Sequence, residues 1–136
     1  MINKKYILTN ETLKVGAKSL YRIKAIKDFG DVKKGDLGGF IESEKNLSQD
    51  SNAWVFDNAR VYGNAEVFDY AEVSDNAKVF GDALVFGDAK VYHNAQVFDY
   101  AQVFRDAEVF GDAKVFGNAD VYGDARVWVI KLVIWL

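Results

Sequence analysis

Residues 111 to 128, GDAKVFGNADVYGDARVW, carry the same phrase three times: alanine, valine two positions later, and an aromatic residue directly after the valine. Read outward, the phrase extends without a break from Asn52 to Val129 as thirteen hexads, beginning NAWVFD, NARVYG, NAEVFD and YAEVSD. The second position is always Ala and the fourth always Val. Residues two apart in an extended segment share a face, so Ala and Val point one way and the third and fifth residues the other. The third is mostly Lys, Glu, Arg, Gln or Asp, which makes that side the solvent side and puts Ala and Val inside. Gly, Asn and Asp at the hexad junctions supply the positive-φ and side-chain-bonded conformations of a corner. A strand and a corner every six residues predict an all-β solenoid, a single chain wound into a parallel β-helix.

Composition narrows the function classes. The 136 residues carry a formal charge of −3 and contain neither Cys nor Pro, which excludes a disulfide framework, a thiolate metal site and collagen. The opening MINKKYILTNETLK lacks a secretory core, and no apolar run approaches the roughly 20 residues of a membrane span. The expectation is a cytoplasmic protein with no membrane partner. Residues 1–51 hold ten Lys and Arg against seven Asp and Glu, whereas residues 52–129 hold six against thirteen. An acidic rod repels phosphates, so nucleic acid is disfavoured as a partner.

The run from Val55 through Ala59, Val61, Ala65 and Val67 to Val127 resembles the hexapeptide-repeat family of left-handed parallel β-helices. The resemblance covers 78 of the 136 residues and implies triangular coils of three hexads, in which residues eighteen apart stack. A right-handed or flattened solenoid with the same inside and outside residues is the alternative. Residues 26–59, which include DFGDVKKGDLGGF, resemble the opening of hexapeptide-repeat proteins from bacterial and phage genomes. That likeness implies a mobile-element origin. Three parts are expected: an N-terminal β cap at 1–51 that covers the first coil, the repeat at 52–129, and a capping or interface strand at 130–136. Within the N-terminal cap, KYILT and SLYRIKAIK read as strands and KKGDLGG as a turn.

An eighteen-residue period sorts the fifth positions onto three faces. Face one carries Phe56, Ser74, Tyr92, Phe110 and Trp128; face two carries Tyr62, Phe80, Phe98 and Phe116; face three carries Phe68, Phe86, Phe104 and Tyr122. Rings on neighbouring coils, about 4.8 Å apart, can stack along the rod. The reading leaves their outer faces wet, in stripes larger than a lone protein tolerates, so at least one face is expected to be covered by a partner. Third positions distinguish the faces. Face one, with Trp54, Glu72, Lys90, Glu108 and Arg126, reads as a ladder of ion pairs. Face two adds Arg60, Lys78, Gln96 and Lys114, and face three adds Glu66, Leu84, Gln102 and Asp120. A basic and a mildly acidic aromatic face suggest side-by-side association with another copy or with a host protein.

Enzyme signatures are missing from the sequence. There is one histidine, too few for a three-histidine zinc site, and no phosphate-binding loop, nucleophile turn or catalytic cysteine. His93 stacks under Asp75 and Asp57, and Asp88, Asp106 and Asp124 form a second column; either could attract a cation, and neither requires one. The expected function is therefore non-catalytic, with no cofactor and no metal. It is a homo-oligomeric binding or assembly protein, and the resemblance of residues 26–59 implies a mobile-element protein that docks on and inhibits a host-defence factor. The alternatives are a reduced acyltransferase-like enzyme using His93, or a structural self-assembling rod.

Overall fold

The structure, a computed structural model, describes residues 3–129. The expected strand at 130–136 lies outside the described residues. From Trp54–Val55 to Arg126–Val129 the repeat forms short strands, each paired in parallel with the equivalent strand one coil on: Val61 with Val79, Val79 with Val97, Val97 with Val115. Three parallel sheets result, one per face, so the chain is a triangular β-solenoid. Every hexad Ala and Val from Ala53 to Val115 is buried, and together they make a narrow continuous core. Alanine beside each corner leaves room for the turn, while valine fills mid-strand.

The corners explain the junction residues. The sixth position of each hexad from Asp57 to Gly123 adopts left-handed backbone, with φ of 58° at His93 and 67° at Gly81. Gly, Asn and Asp reach that region at the lowest cost. Each corner closes when the next alanine N–H donates to the carbonyl of the fifth residue, as from Ala59 to Phe56 at 3.1 Å and from Ala77 to Ser74 at 3.2 Å.

The N-terminal cap is welded to the repeat. Strands β1 (Tyr6–Val15) and β2 (Lys18–Ala25) form an antiparallel hairpin, and β3 (Leu37–Ile41) pairs antiparallel with β2 and parallel with Arg60–Val61. The sheet of face two thus runs through seven strands. GDLGG, expected to be a turn, instead leads into β3. A Cβ on Gly39 would lie 2.5 Å from the Ala59 carbonyl oxygen and 2.7 Å from Val55 Cγ1, so only glycine lets this strand approach the first coil. Ile41 and Leu47 fall in register with Val61 and Val67, and the N-terminal segment thereby supplies an additional coil.

One outward expectation fails for a clear reason. Trp54 is 2% exposed because the N-terminal cap folds over it, with the Phe29 ring 5.2 Å and the Tyr6 ring 6.0 Å away in edge-on contact. The same region buries Lys5, whose Nζ donates to the carbonyls of Ser51 and Ala53, both at 2.6 Å, and lies 4.7 Å from the Phe29 ring centre. Burial, reinforced by the nearby Lys27 charge, pushes the Lys5 ammonium down to about 7. Among the described residues, no helix is long and apolar enough to cross a membrane.

Candidate binding faces

The fifth-position rings form the three expected ladders. On face two, Tyr62, Phe80 and Phe98 follow one another at 5.1 and 5.0 Å with planes within 4°, and Phe116 continues at 5.4 Å. On face three, Phe68, Phe86 and Phe104 repeat this at 4.9 and 5.0 Å, followed by Tyr122 at 5.4 Å. Face one is interrupted by Ser74 and resumes as Tyr92, Phe110 and Trp128. The parallel planes correct the idea of wet ring faces. Neighbouring rungs cover the π-faces, and the ring edges are what meet solvent. Rings inside the ladders are half-buried, whereas Phe116, Tyr122 and Trp128 at the last rung are more than half exposed. Each stacked pair contributes about 0.5–1.5 kcal/mol beyond burial.

Face two combines these edges with charge. Its outward row runs Arg60, Lys78, Gln96, Lys114 in direct register. The ion pairs among the described residues are Lys4–Glu44, Lys18–Glu42, Arg22–Glu11 and Lys90–Glu72, which leaves Arg60, Lys78 and Lys114 without one. Beside them a groove of about 290 Å³ is floored by Asn58, Asn76 and Asn94. Burial raises the pKa of the Tyr62 hydroxyl at the N-terminal end of this face. Upstream, the Arg22 guanidinium sits 4.3 Å from the Phe40 ring centre and is matched by Glu11 at 2.8 Å, so the unmatched charge begins at Arg60.

The other faces depart from the sequence reading. Face one is not a run of ion pairs: Lys90 and Glu72 approach only to 3.9 Å, Glu108 accepts a 2.7 Å bond from the Tyr92 hydroxyl, and Arg126 lies over the Phe110 ring. That bond adds to desolvation in holding the Tyr92 hydroxyl above the usual tyrosine range. On face three, Glu66 and Asp120 are exposed at opposite ends, with half-buried Leu84 and Gln102 between them. Negative charge is concentrated instead at the corner between faces three and one. There Asp88 and Asp106 line a groove of about 470 Å³ with Glu72 and Glu108, and the loop between β2 and β3 contributes Asp31. Tyr70, in the same column, is 62% exposed. In the sequence the aspartate column and the face-one carboxylates stand apart; the corner geometry merges them.

The histidine column is a hydrogen-bond relay between coils. Asp57 accepts from the Asp75 N–H at 3.1 Å, Asp75 from the His93 N–H at 3.0 Å, and His93 Nδ1 from the Gly111 N–H at 3.2 Å. The side chain at each corner thus caps the backbone of the next. Among the described residues, no group of three His, Asp or Glu converges as a metal site requires. Replacing His93 with Ala should cost about 1 kcal/mol, through a lost bond to Gly111 N–H, while His93→Asp should be close to neutral because Asp75 makes the same contact one coil earlier. Equal thermal shifts for the two variants would contradict the relay.

Compared with protein-family models the chain matches none, and no curated protein is significantly similar to it.

Proposed function

We propose that this protein is a non-catalytic, cytoplasmic binding protein, a β-solenoid of the hexapeptide-repeat kind that docks an acidic protein surface on face two. The observation that carries the reading is the row Arg60, Lys78 and Lys114, without ion pairs among the described residues, beside a ladder of ring edges. The edge of an aromatic ring is the positive part of its quadrupole, so cations and edges together favour carboxylates. Single-stranded nucleic acid needs ring faces on which bases stack, and inside this ladder the faces are turned to neighbouring rings. The resemblance of residues 26–59 supplies the setting, a mobile-element protein that occupies a host-defence factor and blocks it.

The test is affinity capture from a host extract with three forms: the unaltered protein, Lys78→Glu with Lys114→Glu, and the face-three control Glu66→Gln with Asp120→Asn. An acidic protein should be retained by the first and third forms and released from the second. Identical captured sets for all three would overturn face two as the docking surface.

A further inference from the structure

Face two and the acidic corner lie on opposite sides of the triangle. Chain order fixes this: each coil passes from face one to face two to face three, and the groove corner at Asp69–Tyr70 joins face three back to face one. The rod is therefore polar across its short axis. One side carries Arg60, Lys78 and Lys114; the other carries Glu72, Asp88, Asp106 and Glu108, with Lys90 as the only cation lining that groove among the described residues. Both arrays run parallel to the rod axis and are spaced by the same coil repeat. A register set at one rung therefore holds along the rod, with Gln96 interrupting the basic row and Lys90 the acidic one.

We propose that the occupant of the acidic corner is face two of a second copy of this chain. The inference rests on reading face two as a carboxylate-docking surface. In a parallel pairing with Lys78 of one copy opposite Asp88 of the next, Gln96 falls opposite Asp106, Lys114, two coils on, opposite Asp124, and Arg60 opposite the exposed Tyr70 ring. Because the two surfaces are different and point in opposite directions, a pair related by two-fold symmetry cannot satisfy both. The association is heterologous: each added copy leaves one free basic face and one free acidic corner, so the assembly grows laterally without closing. It is also salt-sensitive, since the charges are largely solvent-facing.

Sedimentation velocity over a concentration series, at about 20 mM and about 300 mM salt, tests this. At low salt the unaltered protein should show a sedimentation coefficient that climbs with concentration without levelling at two copies, and high salt should return it to one copy. Two paired variants separate the surfaces. Lys78→Gln with Lys114→Gln removes two of the three face-two cations, and Asp88→Asn with Asp124→Asn removes the two corner aspartates opposite them. Both use residues that the repeat already tolerates at those positions, as at Gln96, Gln102, Asn76 and Asn94. Each variant alone should need about tenfold or more higher concentration to associate. Their equimolar mixture should stop at a two-copy species, because one supplies an intact corner and the other an intact face. A single-copy wild type at every concentration, association of either variant like wild type, or a mixture that behaves as its separate components overturns the proposal. A single-copy wild type that still captures an acidic protein through face two would leave the docking function standing.

Discussion

Gly39→Val should loosen the N-terminal cap from the solenoid and cost about 3 kcal/mol in chemical denaturation. The new side chain would begin 2.5 Å from the Ala59 carbonyl oxygen and 2.7 Å from Val55 Cγ1, and neither can retreat. Ala59 belongs to the first regular coil, and Val55 is fully buried in the core cluster that Trp54 shares. The strand must back away, breaking the Phe40 N–H bond to the Ala59 carbonyl and the parallel pairing of Ile41 with Val61. Gly117→Ala is the matched control. Gly117 has φ of 64° and, among the described residues, nothing within 4 Å of an added Cβ, so left-handed strain sets the expected cost, at about 1 kcal/mol. Equal losses for the two variants would show that backbone strain, not space, decides Gly39.

The second large effect is a pH dependence centred on Lys5. In the unfolded chain the ammonium has its ordinary value of 10.5, whereas burial pushes it down to about 7 in the fold. Between those values the unfolded state binds more protons, so stability rises with pH from about 7 towards 10, by about 4 kcal/mol in all. Below pH 7 both states are protonated and the cost of burying the cation is constant. Tyr6 sets the upper limit. Its hydroxyl donates to the Leu47 carbonyl at 2.7 Å, and burial raises its pKa, so above the ordinary tyrosine value of 10.0 the unfolded state ionises first and stability falls again. Unfolding free energies at pH 7, 8, 9 and 10 should trace the rise. Lys5→Met should flatten it, and an unchanged slope in that variant would assign the effect elsewhere.

Strict periodicity made the repeat legible. The alternation of Ala and Val settles which residues are inside, and the junction residues mark the corners. Where that period is broken, the residue pattern no longer marks the coil. Ile41 and Leu47 stand six apart, as in the repeat, but eight residues separate Leu47 from Val55, which hides the N-terminal coil from a six-residue search. The two glycines of LGGFI look like a turn because their role, close approach of two backbones, depends on a neighbour twenty residues along. Trp54 fits the hexad pattern of a solvent position and is buried by Phe29, a residue the pattern does not contain. The candidate binding faces were legible as columns of residue types. Ring orientation was not, because spacing says that rings are adjacent without saying which part of each ring faces out.

The left-handed corners turn the sequence into a counting device. Each hexad advances the chain by one third of a turn, and with thirteen in unbroken succession every residue keeps its phase relative to the N-terminal cap. Gaining or losing eighteen residues would alter the length of the rod by one coil, about 4.8 Å, and leave every column aligned. Gaining or losing six would rotate all that follows by a third of a turn, moving the lysines onto the side now held by another column while burying the same alanines and valines. Length can therefore drift in coil-sized increments without loss of surface pattern, whereas a single-hexad change preserves the core and scrambles what the rod displays.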